Sequence, residues 1–241
     1  MIGVLVNTLT VTIGSIIGLT LKKGIPERMT SAVMTAIGLC TICIGVDGML
    51  GGENTLVLIV SMVLGTIVGT ALDLDGKIQA MGEWVERRFP KQEGAEAVPL
   101  AQGFVTASLL FCCGSMTIVG SLNAGISGDN ELIFTKSLLD LISSSMLAAS
   151  MGIGVLCAAV FVLVFQGALV LLAGLLAPVL TASAIAELTC AGGLMILALG
   201  FNLTKLGNFK VANYLPALIF APIFSWVFGY LPAVLAIFHI G

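Results

Sequence analysis

The sequence predicts an all-α protein, a polytopic transmembrane bundle of about eight spans in one domain over residues 1–241. Three observations predict it. Of the 241 residues 58% are apolar and only 10% charged, where a soluble domain carries about 25% charge. The mean hydropathy of +1.13 exceeds what one water-exposed core of this length could hide. The few charges are also gathered between apolar stretches of about 20 residues, the length that crosses a bilayer.

The elements follow in order. Met1 to Leu21 carries no charge and is followed by Lys22, Lys23 and Arg28. A cleavable signal places its positive charge ahead of the apolar core, so this reads as a retained first span with its basic end in the cytoplasm. Spans two and three are expected at 30–50 and 55–72. Residues 73–100 form the one substantial polar segment, where Leu74, Ile78, Met81, Val85 and Phe89 recur at helical spacing before Pro90. Two readings fit: an amphipathic helix on the cytoplasmic membrane face, or a helix packed on the ends of the bundle. The Lys-Gln-Glu-Gly-Ala-Glu-Ala run at 91–97 reads as a linker. Further spans are expected at 103–122, 132–150, 155–178, 184–204 and 212–238. Leu132 to Leu180 is too long for one helix, and Gly152 and Gly154 mark the break.

Eight spans with the N-terminus outside place Lys22, Lys23, Arg28, Lys77, Arg87, Arg88, Lys91, Lys205 and Lys210 in cytoplasmic loops, nine of the ten basic residues. That is the bias the positive-inside rule demands. Dropping a span would move Lys205 and Lys210 to the wrong side. Both termini are then external.

A shift of 155 residues lays Ala36, Gly38, Leu39 and Gly45 over Ala191, Gly193, Leu194 and Gly200, and Asp47 over Asn202. A candidate inverted repeat results, with 1–72 as the first copy, 155–241 as the second, and spans four and five (101–150) between them. Such repeats recur in secondary transporters, with the site at midplane. Abundant Gly, Ala and Leu also make chance matches easy.

Span five holds Lys136 and Asp140, four residues apart and so on one helix face, about 6 Å apart along the axis. A lone carboxylate at mid-span costs about 2.5–3.5 kcal/mol on insertion scales, so Asp140 is expected to face the interior or water. The pair reads either as a contact for a cation, proton or polar substrate, or as a structural ion pair. Ser144 lies one turn further on. Span four is dense in glycine and hydroxyls: Ser115, Thr117, Ser121 and Asn123 follow Gly114. A broken element lining a polar path and close packing through small residues both account for this. Asn202 and Asn213 add polar character to the last two spans, and Pro216 and Pro222 interrupt helix geometry. Glu187 is expected at a solvated outer end. Gly14-x-x-x-Gly18 and Gly65-x-x-x-Gly69 read first as packing faces and second as contacts in a homo-oligomer.

Several function classes are disfavoured. No basic cluster suits nucleic acid. Cys40-x-x-Cys43 sits mid-span with neither a second cysteine pair at ligand spacing nor a nearby histidine, so no metal or cofactor is expected. Nucleophilic triads and phosphate loops are lacking, and an enzyme is not expected.

Certain strings are distinctive: Gly-Phe-Val-Thr-Ala-Ser-Leu-Leu-Phe-Cys at 103–112, Ile-Val-Gly-Ser-Leu at 118–122, Thr-Lys-Ser-Leu-Leu-Asp at 135–140, Gln-Gly-Ala-Leu at 166–169 and Val-Ala-Asn-Tyr-Leu-Pro-Ala-Leu at 211–218. With Lys-Lys-Gly-Ile-Pro-Glu-Arg at 22–28, the chain resembles the YdfK/YqgA-type family of bacterial inner-membrane proteins over essentially its whole length. The resemblance implies a multi-pass protein of the bacterial inner membrane. That family is known chiefly as a domain of unknown function, and it brings neither substrate nor site residues. The expectation is a transporter or channel-like protein for a small solute or ion, and the alternative is a scaffold or accessory subunit.

Overall fold

A few residues with unusual backbone demands set where the apolar stretches end. Gly152 has φ 79° and ψ −152°, a conformation open essentially to glycine alone, and it divides the long run at the predicted point. Asn54 caps one helix by accepting from the Leu56 N–H, and Thr181 caps another by accepting from the Ala184 N–H. The computed structural model describes residues 1–22, 27–86 and 99–238, all of whose regular elements are helical. In chain order they are α1 (Ile2–Lys22), α2 (Glu27–Leu50), α3 (Thr55–Ala71), α4 (Leu74–Glu86), α5 (Leu100–Cys112), α6 (Ser115–Ile126), α7 (Glu131–Met151), α8 (Ile153–Leu171), the single turn α9 (Ala173–Leu176), α10 (Ala182–Leu203), a 3-10 turn (Val211–Tyr214) and α11 (Ala217–Phe238).

Among the described residues, five segments are long and apolar enough to cross a bilayer: Ile2–Leu21, Glu131–Met151, Ile153–Leu171, Ala182–Leu203 and Val211–Gly229. Two bent pairs, α3 with α4 at 55° and α5 with α6 at 58°, bring the number to seven if each pair counts once. The described apolar part of α2, Thr35–Leu50, is shorter. The expected eight therefore stand as five to seven by length and composition. The chain bends after α3 and within the fourth predicted span instead of running straight. The 91–97 linker and the side chains of Lys22, Lys23, Arg28, Arg87, Arg88 and Lys91 lie outside the described residues.

α7 shows how these helices are sorted. Its inner face buries Ile133, Lys136, Ser137, Asp140, Ser144, Leu147, Ala148 and Met151, while Phe134, Leu138, Leu139, Ile142 and Met146 are exposed. The mid-helix charges Lys136 and Asp140 turn inward while Leu138, Leu139 and Ile142 turn outward, the reverse of a helix in water and what a hydrocarbon solvent requires. α1 and α3 likewise expose Leu5, Leu9, Ile13, Ile59, Val63 and Ile67.

Glycines bring the helices together. Gly14 lies against Leu141 and Ser144, and Gly18 against Ser145 and Ala149. The steady offset makes α1 and α7 parallel, so close that a Cβ at either glycine would overlap the α7 backbone. Gly45 meets Gly193 and Leu197, and Gly200 meets Gly38 and Ile42, so α2 and α10 run antiparallel. Gly65 meets Ala217, and Gly69 meets Asn213. Both small-xxx-small pairs are thus used inside the chain, consistent with the packing reading. α4 takes the second of its two expected roles in part. It packs on α5 and the 3-10 turn, with Ile78 against the cluster of Met195, Leu199 and Val211, while Met81 and Trp84 remain exposed.

Candidate functional site

Helical spacing sets Lys136 and Asp140 on the buried face of α7, and the Lys136 ammonium donates to Asp140 Oδ2 at 2.5 Å. Both are almost wholly buried, 6% and 5% exposed. The Phe111 ring lies 5.7 Å from Lys136 Nζ, within the range of a cation–π contact. Cys112, next along, also lies beside the pair. Phe111 and Cys112 form the last turn of α5, so the ion pair sits where the fourth predicted span breaks. That break, at Cys113 and Gly114, is bridged by the Thr117 hydroxyl, which donates to the Phe111 carbonyl at 2.8 Å.

Two amides that sequence reasoning missed complete the group. Asn7 of α1 and Gln166 of α8 are fully buried, and Asn7 Nδ2 donates to Gln166 Oε1 at 3.1 Å. The Asn7 side chain also faces the Asp140 carboxylate. Asn7 Oδ1 and Gln166 Nε2 have no hydrogen-bond partner. An orphaned buried polar atom costs about 1–3 kcal/mol, so two on adjacent side chains are a costly feature in an apolar bundle. The available signal was a lone amide in each of two otherwise apolar spans.

The hydroxyls around this group are mostly committed as donors. Ser137 donates to the Ile133 carbonyl at 2.7 Å, and Ser144 to the Leu141 carbonyl at 3.2 Å. Their remaining capacity is lone pairs. Ser144 is buried against Gly14, and Ser121 is buried with its hydroxyl unpartnered. Asn123 is half-buried near the end of α6. Ser115 opens α6, and its side chain lies outside the described residues. Of the expected site residues, the structure thus gathers Lys136 and Asp140, with Thr117 at the neighbouring break.

Asn202 and Asn213 lie elsewhere and hold backbone. Asn202 pairs with both the N–H and the carbonyl of Phe209, closing the loop after α10. Asn213 Oδ1 accepts from the Asp75 N–H at 2.9 Å, fixing the start of α4. Glu187 corrects an expectation. It is 1% exposed, and one carboxylate oxygen accepts from the Glu53 and Asn54 N–H groups at 2.8 and 2.6 Å. The positive end of α3 takes up the charge that solvent was expected to take.

Two openings in the structure lie away from the ion pair, whose residues are 6% and 5% exposed. A polar pocket of about 520 Å³ opens between α4, the start of α5 and the 207–212 loop, lined by Asp75, Gln79, Gln102, Asn202 and Lys210. A shallow groove of about 620 Å³ runs along α3 past Met62, Thr66 and Thr70. Neither includes a residue of the Lys136 group. Chemically, the group offers one carboxylate, one ammonium and neutral amides in a low-dielectric setting, suited to holding a small charged or polar guest. Among the described residues no cluster of three or more His, Cys, Asp or Glu side chains forms a metal centre.

Comparison with known proteins agrees with this architecture. The uncharacterized membrane protein YdfK of Bacillus subtilis (strain 168) is 31% identical over 231 residues, covering 94% of this chain and 96% of YdfK. The uncharacterized protein YqgA of Escherichia coli (strain K12) is 30% identical over 223 residues, covering 91% of this chain and 94% of YqgA. No solved structure matches. A protein of unknown function family, DUF554, matches residues 2–226. With several helices of bilayer-crossing length, charge turned inward and near full-length similarity to a membrane protein, this chain is a membrane protein belonging to the DUF554 family.

Proposed function

We propose that the protein is a transporter for a small solute or ion, and that its site is the Asn7, Lys136, Asp140 and Gln166 group, here in a closed conformation. One observation carries the reading. Four polar side chains from α1, α7 and α8 converge inside an apolar bundle, with Asn7 Oδ1 and Gln166 Nε2 left unpartnered beside a broken helix. Irregular backbone at membrane depth is tolerated where it is buried in protein or lines a cavity. Transporter sites commonly lie at such breaks. A guest or water entering there would satisfy atoms that the protein leaves unsatisfied. The protein then acts as a carrier and not as an enzyme.

The packing of α2 on α10 supports the inverted repeat. Gly45 contacts Gly193 and Gly38 contacts Gly200, so each glycine meets the one that the 155-residue shift equates with its neighbour. An antiparallel pair related in this way has a local two-fold axis between its helices. The repeat reading counts α2 as an eighth crossing and places the protein in the bacterial inner membrane, with both termini outside.

The test is flux through the purified protein in vesicles, compared for wild type, Asp140→Asn and Lys136→Ala. Loss of flux in variants that elute as folded protein supports the site, and unchanged flux removes it. A second reading, a non-transporting scaffold locked by a structural ion pair, is favoured by the direct contact of Lys136 and Asp140 within one helix, both almost wholly buried. Under it both variants lose stability, no solute moves in the wild type, and a stoichiometric partner co-purifies through the exposed side of α4.

A further inference from the structure

We infer that the guest of this site is a monovalent cation, and that Lys136 is its exchangeable stand-in, so that a cation binding at Asp140 releases one proton from Lys136. The inference rests on the transport reading above and names its cargo.

Asp140 and Lys136 neutralise each other in a buried setting, and removing one partner leaves an uncompensated charge that the interior penalises heavily. A cation that takes the place of the ammonium on Asp140 keeps the carboxylate neutralised but strands the ammonium. Lysine, unlike arginine, relieves this by giving up its proton. The exchange balances: one cation enters, the Lys136 N–H bond breaks heterolytically, and one proton leaves to water on whichever side is open. No electrons move, and the net charge of the protein together with its bound cation is unchanged.

The surroundings favour a cation over an anion. Ser137, Ser144 and Thr117 have spent their hydroxyl protons on backbone carbonyls, leaving lone pairs. Asn7 Oδ1 is a fully buried acceptor with no donor. The Phe111 ring already lies 5.7 Å from one cation, the Lys136 ammonium, and it belongs to the C-terminal turn of α5, the end whose partial charge is negative. Gln166 Nε2 is the one orphaned donor in the group. Hard oxygen donors replace the hydration shell of alkali cations, and a single carboxylate matches a single positive charge. The other groups facing Lys136 fit this balance. Among the described residues α5 contributes the Cys112 thiol, and α1 and α8 the neutral Asn7 and Gln166. α6 contributes no charged side chain to the group. α2 meets α7 in the apolar cluster of Ile37 and Leu147.

The full chain in vesicles with a trapped pH dye, given Li⁺, Na⁺ or K⁺ outside, tests the exchange. At least one cation is expected to raise the internal pH, at a rate unaffected by collapsing the membrane potential. Asp140→Asn should reduce the rate more than tenfold. Lys136→Arg keeps an ion pair but cannot release its proton, so it should also lose more than tenfold while eluting as folded protein. A purely structural pair would be rescued by arginine, so Lys136→Arg working at the wild-type rate overturns the inference. A pH unmoved by all three cations overturns it too. Osmotic swelling with a panel of small polar solutes separates the failures. Asp140-dependent swelling without cation-driven pH change sinks the exchange alone, and the lack of both sinks the transport reading with it.

Discussion

Lys136 and Asp140 are tolerated at this depth because each cancels the other, and that mutual dependence can be measured. Breaking a buried pair from one side costs about 3–5 kcal/mol, whereas replacing both partners with apolar residues of similar size is often neutral. Asp140→Leu and Lys136→Met are each expected to lower stability in detergent by about that amount, and the double variant to recover most of it. A double-variant loss equal to the sum of the two single losses would show that the pair is not coupled. The pair itself was legible in the sequence, because four-residue spacing fixes a shared face on any helix. Its partners were not. Asn7 and Gln166 stand 159 positions apart, and no periodicity links residues of different spans. Glu187 belongs here too. Two backbone N–H groups hold its carboxylate, so Glu187→Ala should speed amide exchange at 53 and 54 and cost about 1–3 kcal/mol. Glu187→Gln, which keeps an acceptor oxygen, should cost less, as read by hydrogen exchange and thermal unfolding.

Among elements, the helix pairs are held by backbone proximity more than by side-chain bulk. In a bilayer the hydrophobic effect gives no preference for one apolar surface over another, so close van der Waals contact at small residues decides the pairing. α1 on α7 is the clearest case. A side chain at Gly14 would enter the space of Ser144 and the Leu141 carbonyl, while one at Gly114, in the α5–α6 break, meets nothing within 4 Å. Gly14→Leu is therefore expected to abolish the folded species in detergent, and Gly114→Ala to stay within about 0.5 kcal/mol of wild-type stability. Fluorescence-detected size exclusion after heating distinguishes them, and equal tolerance at both positions would contradict the α1–α7 contact. The small-xxx-small spacing of Gly14 and Gly18 was visible in the sequence, but which helix fills the groove was not, since any close neighbour satisfies it. The bend between α5 and α6 was one of two readings. Glycine and hydroxyl density allows either a break or close packing, and the fold uses both: Gly120 lies against Leu132 and Ile133 while Thr117 bridges the break.

For the whole molecule, direction follows from loops and pairing together. α1 and α7 run parallel, and α2 and α10 antiparallel, the directions that the proposed eight crossings would give them. Cysteines introduced singly at 77, 205 and 210 in a background free of the six native ones should react with a membrane-impermeant thiol reagent only from the cytoplasmic side. A cysteine added at position 2 should react only from outside. Labelling of position 2 from the cytoplasm would undo both the orientation and the inverted repeat.

The sequence by itself determined the solvent and the class. Composition is a sum over residues, and a chain 58% apolar and 10% charged has more apolar surface than one core can hide from water, so the excess faces lipid. It also determined the inward turn of Lys136 and Asp140, because the cost of a charge in hydrocarbon leaves a mid-span carboxylate few other places to go. Only the tertiary structure decided what meets that pair. The amides come from α1 and α8, the aromatic ring from the end of α5, and the closeness from glycines that let backbones touch. Those contacts depend on which helices lie side by side, a choice that short-range spacing along one chain does not encode.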